Sequence, residues 1–240
     1  MIQKPLIYRW KPEWGVNSIS LFPLGGAVGS RSKYTGTLRA ASGANSYWTA
    51  TIRLTRRHEK VWREIRPFIA KLNGAQNQVR LYDAACILPL GAAAGSNRDN
   101  YRAPGTIKFS DDTAFSDGTQ FADGSTKARL ARTHREGEGV ALIKGLKPSQ
   151  PVSLAIDDML EIGGFLHMAT ASVRSDAQGR ALVPIFPALR VDVPQASTKA
   201  IVNFAYASST FTLARPFEGF DVRYRNFADD MTFEFIEALP

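Results

Sequence analysis

Apolar and polar residues alternate with a period of two over much of this chain, the pattern of strands that set one face on a core. In the stretch Tyr47–Leu54, Trp48, Ala50, Ile52 and Leu54 fall on one face and Thr49, Thr51 and Arg53 on the other. Residues 18–22 alternate likewise and end at Pro23, after which Gly25, Gly26 and Gly29 predict a flexible loop. The period then changes. Thr55 is placed to cap a helix that begins at about Arg56 and runs to Leu72. Its apolar stripe is Val61, Ile65, Phe68, Ile69 and Leu72, with Trp62 at the edge. Pro67 removes one backbone donor and predicts a kink, and Asn73-Gly74 tolerates the left-handed geometry that ends a helix. Residues 78–82 return to a strand pattern.

Residues 91–106 are small, polar and rich in Gly and Pro, and read as a long loop. Residues 109–124 repeat a Phe-Ser-Asp unit with Phe109, Phe115 and Phe121 spaced by six. A calcium-binding turn array is one reading of the recurring Asp and Gly. The Asp spacing does not match the alternating ligands of an EF-hand loop, and successive Asp-Gly turns account for the pattern without metal. A second all-β unit follows over 138–195, with strands at 139–143, 152–156, 159–162, 165–173 and 181–186 and turns at Gly163-Gly164 and 176–179. Short strands at this spacing predict a small barrel or sandwich. The last strands are placed at 200–205, 210–213 and 231–236. A strand so close to the C-terminus must pair with something already built, and the early strands are its natural partners. The chain is therefore expected to be mainly β: a first β unit of residues 1–90 and 196–240 with one flanking amphipathic helix, a linker with turn-rich hairpins over 91–137, and an inserted small β domain.

Charge changes this picture in one place. Of the 240 residues, 30 are Lys or Arg and 22 are Asp or Glu, a formal net charge of +8. Much of the excess lies between Arg31 and Arg66, where Arg53, Arg56, Arg57, Lys60 and Arg63 form a candidate basic surface opposed by Glu59 and Glu64 alone. Such a stretch is a solvated helix face with exposed strand positions, a surface for phosphate backbones, or a contact for an acidic neighbour. The lone cysteine, Cys86, sits among apolar residues and excludes a disulfide framework within one chain. The first residues lack the long apolar core of a signal peptide, and no run of about 18 apolar residues is present to span a membrane. Synthesis in a cytoplasm is expected. His58, His134 and His167 are far apart in sequence; His134 falls in a charged linker. No Cys–His pair, metal-ligand spacing or glycine-rich phosphate loop is completed, since no Gly-Lys-Ser/Thr follows Gly25-Gly26. The adjacent pairs Asp157-Asp158 and Asp229-Asp230 read as turn residues. The expectation is a protein without catalytic residues, cofactor or metal.

Three features together resemble the distal tail proteins of siphophages and phage-like gene transfer particles. Residues 40–50 lead into the helix that closes Leu72-Asn73-Gly74. The Phe-Ser-Asp-Gly turn run follows. Residues 158–168, then 176–181 with Gly179-Arg180, then 185–190 with Pro187-Ala188-Leu189-Arg190, are similar to the tail-protein pattern of a strand and hairpin, a Gly-Arg turn and a Pro-x-Leu-Arg finish. The resemblance implies a tail-tube-like β-sandwich that assembles as a homo-hexamer, with a second small β domain projecting outward. Such a ring joins the tail tube to the baseplate hub or fibres at the virion tail tip, with passage of DNA through its lumen, and is made in the host bacterial cytoplasm. In this picture the basic residues line an inner surface or meet an acidic neighbour. Three rivals remain. One is a carbohydrate-binding module for host-surface polysaccharide, with Phe165, Phe186 and Trp48 as candidate sugar contacts. Another is a nucleic-acid-binding surface over Trp48–Arg66. The third is a different tail part, such as a tube, terminator or hub protein.

Overall fold

The computed structural model describes residues 5–11, 14, 16, 18–25, 27–31, 38–42, 46–54, 57–83, 89–90, 127–215, 223–224, 227–228 and 231–239, of which 27–31, 38–42, 57–59, 223–224 and 227–228 are described as backbone. Cys86, the loop at 91–106, the repeat at 109–124 with its calcium reading, Asp229-Asp230 and Arg56 lie outside these residues. The chain divides into two compact units, Met1–Ala85 with Ser208–Pro240, and Cys86–Ala207.

The first unit contains β1 (Ile7–Arg9), β2 (Ser18–Leu24), β3 (Ala27–Arg31), β4 (Leu38–Ser42), β5 (Tyr47–Leu54), β6 (Arg57–His58), α1 (Glu59–Leu72) and β7 (Gln78–Tyr82). The second contains β8 (Lys127–Leu130), β9 (Val140–Lys144), β10 (Met159–Ile162), β11 (Phe165–Ala169), β12 (Arg180–Phe186) and β13 (Ile201–Asn203). The chain then returns to the first unit as β14 (Ser208–Leu213), β15 (Arg223–Tyr224), β16 (Phe227–Ala228) and β17 (Met231–Glu237).

In the first unit six strands form one sheet in the order β1-β7-β14-β17-β5-β2. The β1–β7 pair is parallel and the others are antiparallel. Two of the four strands that follow the second unit, β14 and β17, occupy the middle of this sheet, so the last strand does pair with an early one. Its register sets Phe233 opposite Ile52 and Phe235 opposite Ala50, and all four are buried. Helix α1 covers this apolar face. Trp62, Ile65, Phe68, Ile69 and Leu72 are buried, and Phe68 meets Tyr8, Trp10 and Trp14 edge-on, with Trp10 in turn against Phe233 and Phe235. Edge-to-face pairs of this kind contribute about 0.5–1.5 kcal/mol each beyond their area.

Three local expectations need correction. The helix begins at Glu59, because Arg57 and His58 pair with Ala228 and Phe227 in a separate three-stranded sheet. Gly29 is part of β3, which pairs with β4. Strand β2 runs through Pro23 to Leu24, which an edge strand tolerates because one side of it needs no donor. Helix α1 runs from Glu59 to Leu72 with Pro67 inside it. Asn73 and Gly74 follow with φ of 46° and 64°, and the Asn73 N–H donates to Ala70 O.

The second unit is a closed antiparallel barrel in the order β10-β11-β12-β9-β8-β13. Its core alternates small and large side chains: Ala128, Ala141, Ala169, Ala181 and Ala200 lie among Leu130, Ile143, Leu160, Ile162, Val183, Ile185 and Val202. Alanine at these positions lets a barrel of few strands close around its branched neighbours. The barrel begins at Lys127 and ends at Asn203, so residues 127–137 are not a linker and 201–203 are not strands of the first unit. Residues 152–156 are not a full strand. Only Leu154 bridges, to Val173, because the chain turns at Asp157, whose φ is 72°, and the Asp158 carboxylate accepts the Ala155 N–H at 2.6 Å.

Candidate functional site

Among the residues read as one basic surface, the fold separates Arg53 from Lys60 and Arg63. Arg53 is exposed on β5, opposite Ser18 and Thr232. Strand alternation turns it away from the sheet face that Ile52 and Leu54 share with α1. Lys60 and Arg63 are exposed on α1, on the other side of the sheet layer. Arg57 is described as backbone in β6. The exposed face of α1 is also not uniformly cationic. Glu64 pairs with Lys11 at 3.2 Å and accepts the Trp14 indole N–H at 3.1 Å. These hydrogen bonds, with the Lys11 and Lys60 charges, hold its carboxyl below the usual range.

The sheet face opposite α1 carries Ser18, Ser20, Thr49, Thr51, Thr210, Thr212 and Thr232, with Arg53, Arg80 and Glu234, and alternation puts the apolar Ile7, Phe22, Leu24 and Ile236 on the same face. Its outer strands are β1 and β2, and among the described residues neither has a second strand partner. Leu6 and Ile7 are each 56% exposed at one edge, and Phe22 is 63% and Leu24 38% exposed at the other. The alternation in residues 18–22 identified the strand; nothing in it said that the strand would be an edge.

Two of the histidines are structural. His134, expected in a linker, is fully buried. Its Nε2 accepts the Leu142 N–H at 3.1 Å, so Nδ1 carries the proton and donates to Glu138 Oε2 at 2.6 Å. Glu138 also accepts the Arg135 backbone N–H and pairs with Arg132. The Arg135 N–H and the His134 ring hold its carboxyl below the usual range. His167 lies within the barrel with Nδ1 donating to Pro187 O at 2.7 Å, and burial pushes its pKa down to about 4. His58 lies in β6 and is described as backbone.

The candidate sugar-contact aromatics are not open platforms. Trp48 is fully buried, while Phe165 and Phe186 are half-buried and do not share a face: Phe165 stands opposite the core residue Ile162, and Phe186 opposite the half-buried Met168. Among the described residues no group of three or more His, Cys, Asp or Glu is arranged to hold a metal ion, and no helix is long and apolar enough to cross a membrane. Neither protein-family models nor curated proteins match the sequence.

Proposed function

We propose that the chain is a distal tail adapter of a long-tailed bacteriophage or phage-like particle, in which copies of the first unit close head to tail into a hexameric ring between the tail tube and the baseplate hub or fibres. The observation that carries this reading is the pair of open, apolar sheet edges. Exposed edge strands recruit further strands, and two different edges on one sheet make a heterologous contact, which closes into a ring when the rotation permits. The sheet supplies two contrasting faces to such a ring. One is packed under α1; the other is rich in Ser and Thr along its middle strands, with Ile7, Phe22 and Leu24 toward its margins, and its middle suits a wet lumen through which DNA passes. The insertion of the barrel between β7 and β14, and the order of motifs along the chain, support the same reading. Lys60 and Arg63 then belong to the α1 side, where an acidic neighbour would meet them.

The wild-type chain is expected to form closed rings by negative-stain microscopy, with a solution mass to match. Phe22→Lys places a charge on the open edge and is expected to leave monomers with an unchanged melting temperature. Rings that persist in Phe22→Lys would remove the edge contact from the account.

A further inference from the structure

Three cations share one row on the outside of the barrel. Arg129 of β8 stands opposite Lys144 of β9, and Lys144 opposite Arg180 of β12. Their neighbours Leu130, Ile143 and Ala181 are in the core, so strand alternation turns all three cations outward. At about 4.8 Å between strands, the row spans roughly 10 Å. Like charges directly opposite one another destabilise a sheet. Among the described residues no salt bridge to a carboxylate is formed by Lys144 or Arg180, and Arg129 donates to Ser197 O at 3.4 Å. Sheet stability therefore does not account for the row, whereas a bound anion would.

Beside Arg180 the surface is concave. A groove of about 840 Å³ is lined by the apolar Leu142 and Leu182 and by Ser149, Arg174, Asp176 and Arg180. Leu182 is 61% exposed there. Asp176 spends Oδ1 on the backbone N–H groups of Gln178 and Arg180. A carboxylate and a hydroxyl set among cations suit a ligand that donates hydrogen bonds as well as carrying negative charge. The leucines suit the C–H faces of such a ligand. Stacking of bare nucleic-acid bases calls for aromatic rings, and neither the groove nor the row has one.

We propose that this groove and the cation row bind an acidic glycan, a sugar chain bearing carboxylate or phosphate groups on a cell surface. The proposal goes beyond the ring and stands on the barrel alone. Calorimetric titration of the full chain tests it, with oligogalacturonate, a phosphomannan oligosaccharide, neutral maltohexaose, polyglutamate and a single-stranded oligonucleotide as probes. At least one acidic glycan is expected to bind at least about tenfold more tightly than the other three classes, and the one that binds identifies the acid group. Lys144→Gln and Arg180→Glu are expected to weaken it about tenfold or more, and Arg53→Glu to leave it unchanged. Lys144→Gln relieves repulsion, so its melting temperature should hold or rise while binding falls, which a purely structural role would not produce. The proposal is overturned if neither acidic glycan binds at millimolar concentration. It is also overturned if the oligonucleotide or polyglutamate binds as tightly, or if the two barrel variants bind as wild type does.

Discussion

Gly179→Ala is expected to destabilise the barrel by about 3 kcal/mol or more while the first unit stays folded. Gly179 has φ of +69°, and a Cβ added to it would lie 2.2 Å from Leu146 O. That neighbour is backbone and cannot rotate aside. The Leu146 N–H donates to Gly179 O at 3.0 Å, so the two segments are tied at close approach, and the Asp176 turn holds the other side through Gly179 N–H to Asp176 O at 3.1 Å. Gly164 is the control. Its φ is +91° with nothing within 4 Å of the added atom, so alanine there should cost the backbone strain alone, about 1–3 kcal/mol. All four tryptophans lie in the first unit, so their fluorescence should be unchanged in Gly179→Ala. Amide hydrogen exchange over 127–207 should be accelerated. Equal protection of the barrel in Gly179→Ala and wild type would show that the chain does not approach so closely here.

Acid is expected to remove about 3 kcal/mol of barrel stability between pH 6.5 and about 4 through His167 alone. Burial within the barrel is the main cause of the lowered pKa, with the Arg190 charge adding to it and the bond to Pro187 O opposing it. The folded form thus binds a proton less readily than the unfolded form, whose imidazole titrates near 6.5. Above that pH both forms are neutral and the stability is complete. As pH falls through the window, the unfolded chain takes up a proton that the barrel excludes, and stability declines until the folded histidine also titrates. His167→Gln keeps a donor for Pro187 O without a group that charges. Denaturant midpoints of barrel unfolding at pH 7 and pH 4.5 should therefore differ less in this variant than in wild type. An equal loss in both would place the acid sensitivity elsewhere.

What the sequence disclosed depended on how local the cause was. The burial of Trp48, Ala50, Ile52 and Leu54 was readable because one strand carries the whole pattern. The close of α1 was readable because Asn73-Gly74 is a local signal. The helix start was not, because Arg57-His58 is held by a partner about 170 residues further along the chain. Lys127–Leu130 hid in a charged stretch, and Ile201–Asn203 was assigned to the wrong unit, because alternation says that a residue faces a core without saying which core. His134 looked like a linker residue, since nothing local shows that Leu142 and Glu138 will enclose it. The cation row was out of reach for the same reason. Arg129, Lys144 and Arg180 are scattered in sequence and meet only through the register of three strands, whereas Arg53 of the conspicuous run lies on one side of a sheet and Lys60 and Arg63 on the other.

The central claim is that the first unit joins its own copies through the edges at β1 and β2. In a Cys86→Ser background, Ile7→Cys and Phe22→Cys place one thiol at each edge. The order of six strands puts β1 and β2 roughly 24 Å apart within one copy at about 4.8 Å per step, far beyond disulfide reach. Mild oxidation is therefore expected to give a ladder of covalent oligomers that stops at a closed hexamer. Unlinked chains, or dimers with nothing larger, would contradict the head-to-tail ring.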